Sequence, residues 1–194
     1  MKLSPELKAE SPKAWIDCVM SDFNSFLQDH ADCERKASSM AMSFVAKFHD
    51  KPEIVPLLIE TAIEELQHFQ QVYGVMQERG IYLRKNIPED EYVNALLKHC
   101  RSDRDGRALD RMLLASIIEC RAAERFKMVC DALQDPELKL FYRELWTSEA
   151  KHGNIFVKMA LQYFDEKEIN ERLYYFTTKE AEVMLALPIR AALH

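Results

Sequence analysis

The chain has 194 residues, 48% of them apolar, and a net charge of −6, which describes one domain, residues 1–194, with a substantial core. Four Gly and seven Pro are too few for a strand-and-turn architecture and favour long helices. The acidic balance argues against indiscriminate nucleic-acid binding, because a phosphate backbone is repelled at long range, although it permits a local basic patch. Five cysteines (Cys18, Cys33, Cys100, Cys120, Cys130) form no C-x-x-C pair, so reduced thiols are expected rather than disulfides or a zinc site. The opening "MKLSPELKAESPKAW" is charged and lacks the apolar run of a signal peptide. No stretch approaches the ~20 apolar residues of a membrane span. A cytoplasmic protein with no membrane partner is expected.

In chain order, Ser11 is placed to cap a helix with Pro12 in its first turn. The helical pattern runs to about His49, with a break near Ser21. A second helix is expected from about Pro52 to Arg79, stopped by Gly80, and a short one from about Pro88 to Cys100. A third long helix covers roughly Arg104 to Leu133, a fourth about Pro136 to Phe164, and a last amphipathic helix about Glu166 to Leu187. Strand-like alternation is absent. The halves share a layout: Glu65 lies 13 residues after Pro52, Glu149 lies 13 after Pro136, and each Glu is followed three residues later by His. Two similar helical hairpins suggest a four-helix bundle with internal pseudo-symmetry.

Glu-x-x-His alone is weak evidence in a chain this rich in Glu. Its position on the helix is what matters. Steps of three and four along the second helix read Ile54, Leu58, Thr61, Glu65, His68, Val72, Val75, and along the fourth Leu138, Tyr142, Leu145, Glu149, His152, Phe156, Met159, Tyr163. Both pairs sit on the apolar seam. The same steps put Glu119 between Ala115 and Ala122 on the third helix, and Glu34 between Leu27 and Ala41 on the first. Four carboxylates buried without Lys or Arg on the seams are prohibitive unless something neutralises them. A pair of divalent ions does so, and one Glu from each of two helices plus Glu-x-x-His from two others is the ligand set of di-iron and di-manganese bundles. Mixed carboxylate and imidazole ligands suit iron better than zinc. The expected ligands are Glu34, Glu65, His68, Glu119, Glu149 and His152, holding two iron ions.

Glu124 competes with Glu119. Glu34 precedes Glu65 by 31 residues and Glu119 precedes Glu149 by 30, whereas Glu124 gives 25. Glu124 also lies about 140° around the helix from Glu119, between Arg121 and Lys127, and reads as a surface ion pair. Glu60 and Glu64 read as solvated. His30, one turn before Glu34, either supports that ligand or is simply hydrogen-bonded. His49, His99 and His194 read as surface, and Cys33 and Cys120 as packing. The small residues Ala37, Ser38 and Ala41 near Glu34, and Ala115, Ser116, Ala122 and Ala123 near Glu119, fit close helix packing or room for oxygen and substrate. Lys98, Arg101, Arg104, Arg107 and Arg111 form a basic segment offset by Asp103, Asp105 and Asp110. With Arg84 and Lys85 they are candidates for binding phosphate.

The segments "HADCERKASSMA", "EELQH", "IIECRAAERF" and "FYRELWTSEAKH" together resemble the tRNA-(2-methylthio-N(6)-isopentenyladenosine) hydroxylases. The resemblance runs from about Trp15 to Leu185. It implies an all-α, ferritin-like four-helix bundle with additional short helices, and a di-iron monooxygenase with the six ligands named above. The substrate implied is the isopentenyl group of a modified adenosine beside the tRNA anticodon, hydroxylated with molecular oxygen and electrons from a separate reductase. Arg84, Lys85, Lys98, Arg101, Arg104 and Arg107 become candidates for tRNA contact. Two other expectations share these ligands: a di-iron hydroxylase of another apolar substrate such as a quinone, and a non-enzymatic ferritin-like handler of iron or peroxide.

Overall fold

The computed structural model describes residues 5–194, and among these lie seven helices and no strand. They are α1 (Lys13–Ser21), α2 (Phe23–Lys47), α3 (Val55–Glu78), α4 (Glu91–Leu97), α5 (Arg104–Ala132), α6 (Pro136–Ala160) and α7 (Glu166–Ala186). The chain divides into two compact units. One contains residues 17–88 and 190–193, with the α2–α3 hairpin. The other contains residues 89–189 with the N-terminal segment through Ile16 and His194, and carries α4 to α7.

In the first unit, α2 starts where Asp22 accepts a hydrogen bond from the Ser25 N–H, so the expected break near Ser21 is a helix cap worth about 1 kcal/mol. A tight turn through residues 48–54 reverses the chain into α3. Ser38 Oγ donates to the Ala62 carbonyl across the hairpin at 2.8 Å, a close approach that small residues permit. Pro52 lies in this turn and Pro56 in the first turn of α3, so the helix begins later than its first proline suggests. Gly80, at φ +66°, ends α3. The Ile81 N–H reaches the Met76 carbonyl and the Gly80 N–H reaches Gln77, a closure that needs the left-handed conformation glycine adopts without strain.

In the second unit, Asp90, Asp103, Asp135 and Asp165 each accept backbone N–H bonds at the start of α4, α5, α6 and α7. Helices α5 and α6 form an antiparallel hairpin. Gly153 makes their contact close, because a Cβ there meets Cys120 Sγ at 2.6 Å, and Ser116 Oγ donates to the Gly153 carbonyl. The α5–α7 pairs Asp110–Arg172 and Arg121–Glu180 advance together along both helices, so α7 runs parallel to α5. Helix α5 is therefore covered on more than one side, and residues 112–117 are all buried.

That covering changes several expectations. Ser11 does not cap a helix; its N–H and Oγ both donate to Glu124. Glu124 is not a surface partner of Lys127. It binds the fully buried Arg121, while Lys127 pairs with Asp131. Two residues read as surface are half-buried: His99 hydrogen-bonds Tyr175 and His194 stacks on Tyr92. The short helix is trimmed to Glu91–Leu97 and the fourth long helix stops at Ala160.

Candidate metal centre

The helical seams follow the three-and-four spacing except at their ends, where Val75 and Tyr163 are half-buried and Met76 takes the buried place on α3. On α3, Leu58, Thr61, Glu65, His68 and Val72 are buried; on α6, Tyr142, Leu145, Glu149, His152 and Phe156 are; on α5, Ala115, Glu119 and Ala122 are. Glu34 is buried on α2 between Leu27 and Ala41. Glu60 and Glu64 are exposed.

In the α2–α3 unit, Glu34, Glu65 and His68 each offer a ligand atom, all within 4.8 Å of one another. His68 Nδ1 stands 3.7 Å from Glu34 Oε2 and 3.6 Å from Glu65 Oε2. Those separations exceed an N–H···O hydrogen bond. They are close to, and slightly wider than, the ~3.0–3.6 Å between donors each ~2.1 Å from one metal. Two carboxylate oxygens and an imidazole nitrogen, buried together, are a donor set that fits iron. The other oxygen of Glu34 is held by His30, whose Nε2 lies 2.7 Å from Oε1. His30 is fully buried, so it fixes the carboxylate plane and leaves Oε2 towards His68. Replacing His30 with Ala is expected to weaken iron binding about 10- to 100-fold, measured by chelator competition, with partial recovery in His30→Gln. Unchanged iron affinity in His30→Ala would rule out this orienting role.

In the α5–α6 unit, Glu149 Oε2 and His152 Nδ1 are 3.0 Å apart on one turn of α6. Glu119 is buried on α5. Gly153, beside His152, lets α6 lie against Ser116 and Cys120, so close helix packing accounts for Ser116. Cys120 is part-buried in that contact, and Cys33 part-buried on α2. Both behave as packing residues.

The basic candidates differ in exposure. Arg84 reaches Asp29 at 3.5 Å, the Ser25 carbonyl at 3.1 Å and Asp32 at 3.8 Å, which ties the connection after α3 back to α2. Arg101 hydrogen-bonds both oxygens of Asp110 and reaches Glu168 at 2.7 Å. Burial opposes its charge, but these two carboxylates outweigh burial and hold its pKa above the ordinary guanidinium value. Lys85, Lys98, Arg104 and Arg107 are exposed. Spacing gave no hint of Asp110, which also binds Arg172; its signal was an acidic residue inside an otherwise apolar α5 face.

No helix among the described residues is long and apolar enough to cross a membrane. A solved structure described as protein 43 with aldehyde deformylating oxygenase activity, from Synechococcus, superposes with a TM-score of 0.89 at 31% identity, covering 95% of this chain and 92% of that one. The fold class is all-α and ferritin-like, with buried carboxylate–histidine clusters compatible with a di-iron site. The family model described as tRNA-(MS[2]IO[6]A)-hydroxylase (MiaE) matches residues 2–194. A Pseudomonas putida protein named tRNA 2-(methylsulfanyl)-N(6)-isopentenyladenosine(37) hydroxylase is 34% identical over 95% of this chain and 91% of its own length. A Salmonella typhimurium protein of the same name is 30% identical over 95% of this chain and 86% of its own. The chain belongs to the MiaE hydroxylase family.

Proposed function

We propose that the chain works as one ferritin-like domain in which Glu34, Glu65, His68, Glu119, Glu149 and His152 hold two iron ions, and that it hydroxylates the isopentenyl group of 2-methylthio-N(6)-isopentenyladenosine beside the tRNA anticodon. Family membership over residues 2–194 supports the reaction. The observation that carries the site is the convergence of Glu34, Glu65 and His68 at separations too long for hydrogen bonds. When bound, iron supplies the activation of molecular oxygen, with electrons from a separate reductase. The residues of the chain do the rest. Four carboxylates balance the ionic charge, His30 holds Glu34 in one orientation, and the apolar neighbours on each seam keep water from the reacting carbon. The modified base lies in a single-stranded loop and is free to be splayed out of its stack. Arg84, Lys85, Lys98, Arg101, Arg104 and Arg107 are the proposed tRNA contacts, and the cytoplasm the proposed location.

The test is mass spectrometry of nucleosides from isopentenylated tRNA after incubation with iron-loaded protein, oxygen and a chemical reductant. One added oxygen on the modified nucleoside, lost in Glu119→Ala, is the expected result. No added oxygen from a protein that carries iron and consumes peroxide would replace this reading with that of an iron or peroxide handler.

A further inference from the structure

The connection after α3 is pinned to α2, yet one of its rings stands in solvent. Gln28 Nε2 donates to the Tyr82 carbonyl at 2.8 Å, the Ile81 N–H closes onto the Met76 carbonyl, and Arg84 reaches the Ser25 carbonyl at 3.1 Å. The backbone is thereby held on both sides of Tyr82. Its side chain is 84% exposed, more than any other large apolar side chain among the described residues. A tyrosine on an anchored backbone has only a few rotamers, so little freedom is lost when its flat face meets a partner. Charge does not single this segment out. Glu78 offsets one of the exposed cations Arg79 and Lys85, and Arg84 is shared between Asp29 and Asp32. Arg79 also lies over the Phe23 ring at 5.5 Å. What the segment offers a ligand is an aromatic face, with a cation a few residues away on either side.

We propose that Tyr82 is a stacking platform for an unpaired base of the substrate RNA, a neighbour of the nucleotide whose isopentenyl group is hydroxylated. The inference rests on tRNA being the substrate and adds an aromatic contact to the cations proposed above. Taking the modified base out of the anticodon loop strips the adjacent base of a stacked partner, and that unstacking is part of what extrusion costs. An exposed tyrosine face replaces the lost partner. It does so for any sequence, because every base has a π-face, and single-stranded RNA is commonly bound through such rings. The position suits the role. Gln28, which holds the Tyr82 carbonyl, precedes Glu34 on α2 by six residues, ~9 Å along the helix axis. That is the rise of two to three stacked nucleotides at ~3.4 Å each. The helix that anchors the platform is therefore the helix that carries a proposed metal ligand.

The experiment measures binding of an isopentenylated anticodon stem-loop by fluorescence anisotropy across a salt series, for wild-type protein and for Tyr82→Ala, Tyr82→Phe and Tyr82→Trp. Melting temperature and iron content are measured alongside to show that each variant folds. Tyr82→Ala is expected to bind about 5- to 100-fold more weakly, with Tyr82→Phe close to wild type and Tyr82→Trp at least as tight. The log–log salt slope is expected to stay the same, because a stacked ring releases no counterions. Binding of a fully duplex RNA of the same length is expected to be indifferent to residue 82. In Tyr82→Trp the stem-loop is expected to quench indole emission beyond the quenching of Trp15 and Trp146 seen in wild type. Unchanged affinity in Tyr82→Ala overturns the proposal. So does a Tyr82→Phe as weak as Tyr82→Ala, which assigns the contact to the hydroxyl. Loss of self-association in sedimentation, with RNA affinity intact, also overturns it and assigns the ring to a contact between copies of the chain. Failure to add oxygen to a tRNA that the protein binds, by contrast, overturns the hydroxylase reading and leaves the stacking result standing.

Discussion

Glu65→Leu is expected to cost the protein its iron and to lower hydroxylation by more than about a thousandfold, or about 4 kcal/mol in the barrier, while making the metal-free chain harder to melt. The two effects have one cause. Glu65 and Glu34 are buried beside His68 at 3.6–3.7 Å, an arrangement that disfavours the folded state when no ion balances it. Glu34 and Glu65 offer oxygens within 4.8 Å of each other, so in the metal-free chain an apolar side chain at 65 removes one of two like charges held together in the interior. Iron at a thousand times its dissociation constant stabilises wild-type protein by about 4 kcal/mol, a rise in Tm of about 8–16 °C for a chain of this length. Calorimetry with iron and with a chelator checks both arms: wild type shifts and Glu65→Leu does not. A Glu65→Leu protein that still shows the iron-dependent shift would remove Glu65 from the ligand set.

Arg121→Met is expected to cost about 3–5 kcal/mol, the usual penalty for breaking a buried ion pair from one side, and so to lower Tm by about 6–20 °C. Arg121 and Glu180 are both fully buried. All five guanidinium hydrogens have an acceptor: Nε and Nη2 fork onto the two oxygens of Glu180, and the remaining three reach Glu124, Ser11 and the Ala9 carbonyl. Burial works against the charge, but the hydrogen bonds and charge of Glu180 outweigh it, so Arg121 titrates above its ordinary value. Tyr92 donates to the same carboxylate, and its own pKa is raised by burial and by Glu180. Removing Arg121 takes away the guanidinium that hydrogen-bonds both Glu180 oxygens and leaves Tyr92 as its hydrogen-bond donor, with Arg125 as the remaining nearby cation on α5. Arg121→Met/Glu180→Leu is expected to recover most of the loss, and denaturant unfolding of both variants measures it. Equal stability of Arg121→Met and wild type would show that the network adds nothing to the fold.

The seams were legible in the sequence because a helix repeats every 3.6 residues and each seam runs over several turns. Leu58, Thr61, Val72, Tyr142, Leu145 and Phe156 are buried where the spacing put them. The same regularity exposed the glutamates out of keeping with their neighbours, and separated Glu119 from Glu124. The Arg121–Glu180 network was not legible, because a charged residue off the seam reads as solvated until a second helix is known to cover it. The continuous run from Met112 to Ile117 was the available signal, since a helix buried on one side alone does not carry six consecutive buried residues. His30 was placed one turn from Glu34 by spacing, but its bond to Oε1 depends on side-chain rotamers that spacing does not set. Arg84 and Arg101 also have carboxylate partners that spacing did not reveal, Asp29 for the first and Asp110 with Glu168 for the second.

Position 153 shows how such packing limits the routes by which the chain can change. A methyl group there meets Cys120 Sγ at 2.6 Å and the Ser116 carbonyl at 3.4 Å, so either the Cys120 side chain turns aside or α5 and α6 move apart if 153 alone enlarges. A smaller residue at 120 relieves the nearer clash, and the two positions are thereby coupled: each restricts which residues the other accepts. Variation along this hairpin is therefore coupled, and loss of the sulfur at 120 makes room for a larger residue at 153.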